Sequence, residues 1–470
     1  MNMGQRFESK RKYSQRGSIL PLILIFGSFF LTIFTSLLLY IYSQRHLSVI
    51  KIQREEAFNI TEAGIEMYHW HIISELDGKT AEQVGTYWDG DPLGIPFYER
   101  EYKDPQGSAI GKFKLEVIKP EEGSTVIEVK STGWHYNNPE VKRVVEVKFR
   151  KPSWSDYSVL ADDVMRFGEG TEIWGSIHSN GGIRFDGIAH NLISSSKETY
   201  WDPDTGSWQD GVWTSQPDPN QVFLAGIKYP VPETDFTGVT SDLKEIKDNA
   251  QVDGIYLPYA GHSKDGYDLE IKDNGTLDVY KVKSRGSISH HVYSKDSYQN
   301  LPFPSNGLIF VEDDATIKGS LNDVQLTIAC ADLTSGSNHR NIYIENDIKY
   351  AGYDGTEILG LIAQGSVKIG LCSEDNLRID GALIAQNGSV RRDYYSFWDS
   401  ITYYKRNTIT VYGAIATNNR YGFSWLCGGD TYCSGYANRN ITYDPELMYN
   451  IPPFFPTQNS YKLDMWEEIK

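Results

Sequence analysis

Hydrophobic residues form one continuous run near the start of the chain. From Ile19 through Tyr42, 24 residues carry no charge and are mostly Ile, Leu and Phe. At about 1.5 Å per residue, such a helix is about 36 Å long, which is enough to cross the core of a bilayer. Apolar residues then recur every three or four positions from Leu47 to Tyr68. This spacing predicts that a single helix continues past the membrane, over residues 18–75.

Between about residues 85 and 150, the apolar positions recur at every second residue instead. Apolar and charged side chains alternate at residues 112–117, 127–130 and 145–150. Alternation predicts strands with one apolar face, and the second half of the long helix is the apolar surface available to cover that face. We therefore predict a small antiparallel β domain over residues 76–152, packed on the helix.

After Trp154, short apolar runs are separated by turns that contain Gly or Asn. Leu-Ile-Ala-Gln followed by Gly-Ser-Val occurs twice, 22 residues apart. Short strands and Gly/Asn turns at this interval are typical of a parallel β-helix, so residues 153–470 are predicted to form a right-handed β-solenoid domain. A β-sandwich is the alternative, although it favours longer strands with alternating faces. The predicted fold class is mainly β with one long N-terminal α-helix.

Residues 194–300 interrupt this pattern with loops rich in Trp, Asp and Pro. Insertions on one face of a solenoid often carry binding surfaces. Trp201, Trp208 and Trp213 could stack on sugar rings as a ligand surface, or could simply cover the ends of the core. The aromatic C-terminal tail is predicted to pack along the solenoid as a closing cap.

The same loops hold three acids that partly match a calcium-binding loop. Asp202, Asp204 and Asp210 have the spacing of ligand positions 1, 3 and 9, but Gly206 occupies position 5 and position 12 is not glutamate. An ordinary Asp/Pro/Gly turn explains the pattern equally well. We therefore predict no cofactor and no metal, with calcium at these three acids as the weaker alternative.

Charge is distributed unevenly and sets the expected membrane orientation. The chain has 45 Lys and Arg against 62 Asp and Glu, a net charge of −17, which argues against a nucleic-acid partner. Basic residues concentrate before Ile19, so the N-terminus is predicted to be cytoplasmic and the acidic remainder extracytoplasmic. A cleaved secretory signal is the competing interpretation, but its apolar region is normally about 7–15 residues and ends at a small-residue site.

The junctions of the long helix carry a resemblance to a known family. A basic leader over residues 1–17 ends at Gly17-Ser18, the uncharged helix begins at Ile19, and the later element Thr61-Glu62-Ala63-Gly64-Ile65-Glu66 follows in the amphipathic part. This arrangement resembles type IV pilus minor pilins of the PilX type. The resemblance implies leader cleavage between Gly17 and Ser18, and packing of the helix in a filament core.

Two positions qualify this resemblance. Leu22 stands where major pilins carry a glutamate, which weakens a filament-subunit role more than a pilus-associated one. Pro21 lies early in the helix, where its missing N–H is tolerated.

An ordinary signal-anchor helix is the simpler alternative. A glycine inside a helix costs about 1 kcal/mol relative to alanine, so Gly64 predicts close backbone packing, against either a filament neighbour or the chain's own sheet.

Sequence motifs give little support for catalysis. Gly-x-Ser-x-Gly, P-loop and dinucleotide-binding motifs are absent, and no histidine pair has zinc-ligand spacing. Asp162, Asp163, Arg184 and Asp186 are candidates only because they are neighbours in sequence. Cys427 and Cys433 are predicted to close a small disulfide loop. Cys330 and Cys372 are predicted to be buried thiols or a further bridge.

These observations predict a non-catalytic, single-pass surface protein. Its helix would anchor it in the membrane or in a pilus, with other pilin-like subunits and the pilus assembly machinery as partners. Its solenoid would act in adhesion or recognition, with a glycan as a possible ligand. The alternatives are a membrane-tethered β-helix enzyme that acts on polysaccharide and a structural cell-envelope protein.

Overall fold

The computed structural model of the chain describes residues 19–79, 81–90, 99–120, 124–236, 239–334, 338–428, 431–458 and 460–469. The chain is mainly β with one long N-terminal helix, α1 (Ile19–Leu76), as predicted. A short helix, α2 (Ala81–Asp89), follows it. The predicted small antiparallel sheet is also confirmed, and its first four strands are β1 (Glu99–Lys103), β2 (Ala109–Ile118), β3 (Ile127–His135) and β4 (Lys142–Arg150). We call α1 and this sheet the stem.

The second half of α1 packs on the small sheet. Its buried residues recur every three or four positions, namely Ala57, Ile60, Thr61, Gly64, Ile65, Tyr68, Ile72 and Leu76. Strand β3 alternates buried and half-buried residues along its whole length, so one face of the sheet meets the helix. Phe113, Val129 and Phe149 belong to the same buried cluster as Tyr68. Helix and sheet therefore share one core.

The rest of the chain, residues 154–456, forms a larger unit that we call the body. Short 3₁₀ helices cover Trp154–Asp156, Pro219–Gln221 and Pro445–Met448. One α-helix, α3 (Val239–Val252), lies between β15 and β16 of the following series. The strands of the body are β5 (Val159–Ala161), β6 (Met165–Phe167), β7 (Thr171–Trp174), β8 (Ile177–Ser179), β9 (Ile183–Phe185), β10 (Ile188–Ala189), β11 (Ile193–Ser195), β12 (Thr199–Asp202), β13 (Ser207–Asp210), β14 (Val212–Trp213), β15 (Ile227–Lys228), β16 (Ile255–Leu257), β17 (Tyr267–Lys272), β18 (Thr276–Arg285), β19 (Val292–Pro302), β20 (Leu308–Val311), β21 (Ala315–Leu321), β22 (Gln325–Cys330), β23 (Ile342–Ile344), β24 (Ile348–Tyr350), β25 (Ile358–Ala363), β26 (Val367–Ile369), β27 (Asn376–Ala385), β28 (Val390–Arg392), β29 (Lys405–Thr417), β30 (Ser424–Cys427) and β31 (Thr431–Thr442).

Most of these strands pair in parallel within one large sheet. The longest series of parallel pairs runs β16–β20–β22–β25–β27–β29–β5–β8–β11–β15, and we call it the main ladder. One aliphatic residue from each strand pairs with the next in register, giving the column Ile255, Ile309, Ile328, Leu361, Leu383, Ile415, Val159, Ile177, Ile193 and Ile227. Eight consecutive members of this column, from Ile309 to Ile193, lie in one buried cluster. The repeated apolar runs of the sequence therefore stack on one another.

The order of strands in the main ladder differs from their order in the chain. From β5 the chain steps to β8, β11 and β15, and it then resumes at the opposite end of the ladder with β16 and β20. The strands that follow in sequence, β22, β25, β27 and β29, extend the ladder from β20 towards β5. Strand β29 then pairs with β5, with Ile415 opposite Val159. The first strand of the body thus lies in the interior of the ladder, between two strands that come later in the sequence.

Helix α3 and part of the C-terminal segment pack on the main ladder in a second buried cluster. Helix α3 places Leu243, Ile246 and Ala250 in this cluster with Phe310 of β20. Leu447 and Phe455, near the C-terminus, belong to the same cluster. Residues 194–300 were predicted to form loops, and this was wrong for α3 and for strands β12–β19. The spacing of three and four between the buried residues of α3 is the sequence signal for that helix.

The last strand of the chain, β32 (Lys462–Ile469), lies in the small sheet. It pairs antiparallel with β4, and the sheet order is β1–β2–β3–β4–β32. The sequence assigned residues 153–470 to the larger domain, whereas this strand belongs to the stem. All but one of its side chains are exposed and none is buried, so its pairing with β4 does not depend on a buried apolar face.

Candidate functional site

The first half of α1 is apolar on all sides and exposed. Every residue from Ile19 to Val49 is exposed, including Leu22 and Tyr42. This is the one helix of the described residues that is long and apolar enough to cross a membrane. Pro21 is the third residue of α1, in the first turn, where its missing N–H removes no helical hydrogen bond. Gly17 and Ser18, the predicted cleavage site, lie outside the described residues.

The Glu62-Ala63-Gly64 element lies against the chain's own sheet. A Cβ at Gly64 would come within 2.5 Å of Ser131 Oγ and 2.9 Å of Phe113 Cδ2. Ser131 Oγ also donates a hydrogen bond of 2.8 Å to the carbonyl oxygen of Thr61. The sequence left two possible packing partners for Gly64, a filament neighbour and the chain's own sheet. In the structure, the chain's own sheet packs against Gly64.

Strands β12 and β13 form a hairpin that we call the aromatic hairpin. Trp201 and Trp208 are register partners on it, and their rings meet edge to face with centroids 6.2 Å apart. Trp201 is 52% exposed and Trp208 is 68% exposed, so both rings can reach a ligand. Trp213 lies elsewhere, on β14, where its Nε1 donates to Tyr200 Oη at 2.9 Å. The predicted tryptophan surface is therefore two exposed rings and one ring used for packing.

The turn of this hairpin borders a groove that we call the arginine groove. Its volume is about 420 Å³, and its lining includes Arg166, Arg391, Arg420 and Arg439 together with Asp163 and Asp204. Asp204 pairs with Arg420, and Arg166 Nη1 lies 3.7 Å from Asp204 Oδ2. These two ion pairs hold the hairpin turn against the groove.

Arg439 gives the groove an excess of positive charge. Its guanidinium is buried, and the hydrogen bonds it makes go to the Thr171 hydroxyl and to backbone carbonyl oxygens, all of which are neutral. Burial lowers the pKa of Arg439. The N–H groups of Arg439 are all used by these neutral acceptors, so its charge acts on the groove at a distance and favours an anion there over a cation.

The three acids of the possible calcium loop are used in other ways. Asp202 is buried and its Oδ1 accepts a 2.8 Å hydrogen bond from the backbone N–H of Asp204. Asp204 is held by the two arginines, and Asp210 ends β13 and is exposed. The hairpin turn accounts for their spacing, and calcium here stays the weaker alternative to the prediction of no metal.

The acids and arginine considered for catalysis do not converge on one point. Arg184 Nε pairs with Asp186 Oδ2 at 2.8 Å, and Asp186 also accepts from the N–H of Ser215. Asp162 Oδ1 accepts instead from Asn180 Nδ2, and Asp163 lines the arginine groove. Their contacts hold neighbouring turns together.

Three hydrogen-bonded side chains on the main ladder were not predicted from the sequence. His178 Nδ1 lies 3.0 Å from Ser194 Oγ, and His178 Nε2 lies 3.2 Å from Asn180 Oδ1. All three side chains are buried and His178 and Ser194 line a cavity of about 630 Å³. Burial lowers the pKa of His178, partly offset by its hydrogen bond to Asn180. Because Asn180 Nδ2 donates to Asp162 and to the Thr234 carbonyl oxygen, its Oδ1 faces the imidazole.

The four cysteines divide into one pair and two single thiols. Cys427 and Cys433 form a disulfide with their Cα atoms 5.8 Å apart. Cys330 is a buried free thiol of the main ladder, and Cys372 is a half-buried free thiol.

Cys372 lies in a second cluster that the sequence did not indicate. Ligand atoms of His291, Glu345 and Cys372 all lie within 4.8 Å of one another, and this is the one such group of three among the described residues. His291 precedes β19, Glu345 follows β23 and Cys372 follows β26. Spacing along the chain cannot reveal a cluster whose ligands come from three separate segments.

Comparisons with known proteins give similarity to solved structures alone. No protein-family model matches the chain, and no curated protein matches it. Among solved structures, the competence-associated pilin ComZ from Thermus thermophilus aligns with 89% of this chain and 97% of its own, at 14% identity and a TM-score of 0.31.

Proposed function

We propose that the chain is a pilin-like, pilus-associated surface subunit that carries its body outside the cell. The observation that supports this most directly is the division of α1. Its first half is apolar and exposed on all sides, whereas its second half packs on a small antiparallel sheet. An all-round apolar helix needs lipid or other helices around it. A membrane supplies the first environment, and the core of a filament supplies the second.

The basic leader sets the orientation within this proposal. Positive residues before Ile19 would stay cytoplasmic, and the acidic body would lie on the other side of the membrane. Cleavage between Gly17 and Ser18 would release α1 for packing with other pilin-like subunits, as the resemblance to minor pilins of the PilX type implies. Leu22 in place of glutamate favours an accessory subunit over the main filament subunit.

The body would be a parallel β-solenoid that presents a recognition surface. Parallel pairing in register along the main ladder supports this, since stacked rungs place like residues above one another. A right-handed coil agrees with the usual hand of parallel crossovers. The disulfide between Cys427 and Cys433 suits an extracytoplasmic location.

Recognition would use the aromatic hairpin together with the arginine groove. Exposed tryptophan rings stack on the apolar faces of sugars, and buried positive charge attracts carboxylate or sulfate groups. The two features adjoin, because Asp204 in the hairpin turn pairs with Arg420 of the groove. An acidic glycan is the class of ligand that fits both.

Changing the leader tests the assembly part of the proposal. Gly17→Leu should leave the protein in the membrane and remove it from the surface fraction obtained by shearing cells, because the leader peptidase requires a small residue at the cut. Immunoblots of both fractions measure the distribution. Gly4→Leu makes the same change elsewhere in the leader and should shear normally. Equal amounts of both variants in the sheared fraction would contradict the proposal.

Removing the two exposed rings tests the recognition part. The double variant Trp201→Ala, Trp208→Ala should bind acidic oligosaccharides about tenfold more weakly, which corresponds to about 1.4 kcal/mol. Binding to an array of acidic and neutral oligosaccharides would be compared for the purified full chains. Trp398→Ala is the matched control, because Trp398 is 90% exposed but lies in a different turn. An equal loss in the control, or no loss in the double variant, would contradict recognition by this hairpin.

A further inference from the structure

We propose that His291, Glu345 and Cys372 bind one zinc ion at the edge of the parallel sheet. This site is independent of the pilus-related function. It would tie the loop between β18 and β19 to the strands β23 and β26, with three protein ligands and a water molecule at the fourth position.

The three ligands are already positioned by the backbone around them. The N–H of Leu371 donates to the carbonyl oxygen of Ser289 at 3.0 Å, which joins the loop of His291 to the segment of Cys372. The N–H of Gly370 donates to the Ile344 carbonyl oxygen at 3.0 Å, next to Glu345. Arg392 Nη2 donates to the Leu371 carbonyl oxygen at 3.1 Å, beside Cys372. Little rearrangement is therefore needed for the ligand atoms to converge.

Glu345 has an unused ligand atom. Its side chain is 7% exposed, and its Oε2 lies 2.7 Å from His291 Nδ1. Its Oε1 is buried and has no hydrogen-bond partner. A buried carboxylate oxygen without a partner is unfavourable, and a metal ion would satisfy it.

Gly370 provides the space that this carboxylate occupies. A Cβ at position 370 would lie 2.5 Å from Glu345 Oε1 and 2.7 Å from its Cγ. Any larger residue would push the carboxylate out of its place. The glycine thus keeps room for Glu345 at the cluster.

The ligand chemistry selects zinc over calcium or magnesium. Thiolate sulfur and imidazole nitrogen suit borderline-soft cations, whereas calcium and magnesium take oxygen ligands. One thiolate and one carboxylate also balance a divalent charge. The side chain of His291 is 40% exposed, which gives the ion a path from solvent and leaves room for the water.

The test uses the full chain, purified in detergent and stripped of metal with a chelator. Titration with zinc against a chromophoric competitor should show one ion bound per chain. Cobalt in place of zinc should give the absorption of tetrahedral coordination together with a thiolate-to-metal charge-transfer band. His291→Ala and Cys372→Ser should each weaken zinc binding by about 100-fold or more.

Two neighbouring residues give matched controls. His290→Ala removes the adjacent histidine, which faces Asp393 at 3.3 Å, and Cys330→Ser removes the other free thiol. Both should bind zinc like the unchanged protein. Less than one zinc per chain, or cobalt bound without a thiolate band, would overturn the proposal without relying on any variant. Equal affinities for the Cys372→Ser and Cys330→Ser proteins would also overturn it.

Discussion

Gly133→Val is expected to separate the second half of α1 from the small sheet and to lower the free energy of unfolding by about 1–3 kcal/mol. A Cβ at Gly133 would lie 2.5 Å from Thr61 Oγ1, 2.6 Å from Thr61 N and 2.7 Å from the Ala57 carbonyl oxygen. Two of these atoms belong to the helix backbone, so they can move away only if the helix moves. The glycine is required by the close approach of α1 to β3.

Hydrogen bonds also hold α1 close to the small sheet, and Gly133→Val would break them. Thr61 Oγ1 lies 3.1 Å from the Arg143 carbonyl oxygen of β4. Ser131 Oγ on β3 donates to the Thr61 carbonyl oxygen. Buried polar groups that lose their partners add to the steric cost.

Denaturant unfolding of the full chain in detergent, followed by circular dichroism, would measure this effect. Limited proteolysis should cut α1 near Thr61 faster in the variant. Gly85→Val is the control, because a Cβ at Gly85 in α2 meets nothing within 4 Å. If the two variants unfold alike, the packing described for α1 is incorrect.

Arg150→Ala is expected to destabilise the junction between the stem and the body by about 1–3 kcal/mol, because it leaves the half-buried carboxylate of Asp156 without its cation. Arg150, the last residue of β4, is 9% exposed in its side chain. Its Nη1 donates to both oxygens of Asp156 at 2.8 Å, in the 3₁₀ helix that begins the body. Its Nε lies 3.2 Å from Asp464 Oδ2 on β32. One side chain therefore links the small sheet, the body and the C-terminal strand.

Thermal unfolding and protease sensitivity of the segment around Pro152 would measure the loss. Lys148→Ala is the matched control on the same strand, since Lys148 pairs with Glu128 while both are partly exposed. Such pairs contribute about 0–1 kcal/mol. Comparable losses in the two variants would show that Arg150 does not join the two units.

Local periodicity explains which parts of the fold could be predicted. The helix and the strands β2, β3 and β4 repeat their apolar positions within a few residues, and their shared core follows from that repetition. Repeated short apolar runs likewise indicated parallel strands. Position 64 was expected to need close packing, but only the structure shows that the sheet provides it.

Pairings between distant segments could not be predicted from such patterns. Strand β29 pairs with β5 although they lie at opposite ends of the body's sequence, and nothing in the local pattern of either strand identifies the other. Strand β32 has no buried side chain, so its own pattern does not identify the strand that it pairs with. The cluster of His291, Glu345 and Cys372 is likewise formed by segments that are distant in sequence, so the spacing of histidines and cysteines gave no signal. Of the three tryptophans predicted to form a surface, only the register of β12 and β13 distinguishes the two exposed rings from Trp213.

The N-terminal residue of the mature protein tests the central claim most directly. Mass spectrometry of the membrane fraction and of the sheared surface fraction would identify it. A chain that begins at Ser18, and that is present in the sheared fraction, is the result expected for a processed pilin-like subunit. A chain that retains Met1 and stays in the membrane fraction would contradict the account. It would indicate a signal-anchored surface protein instead.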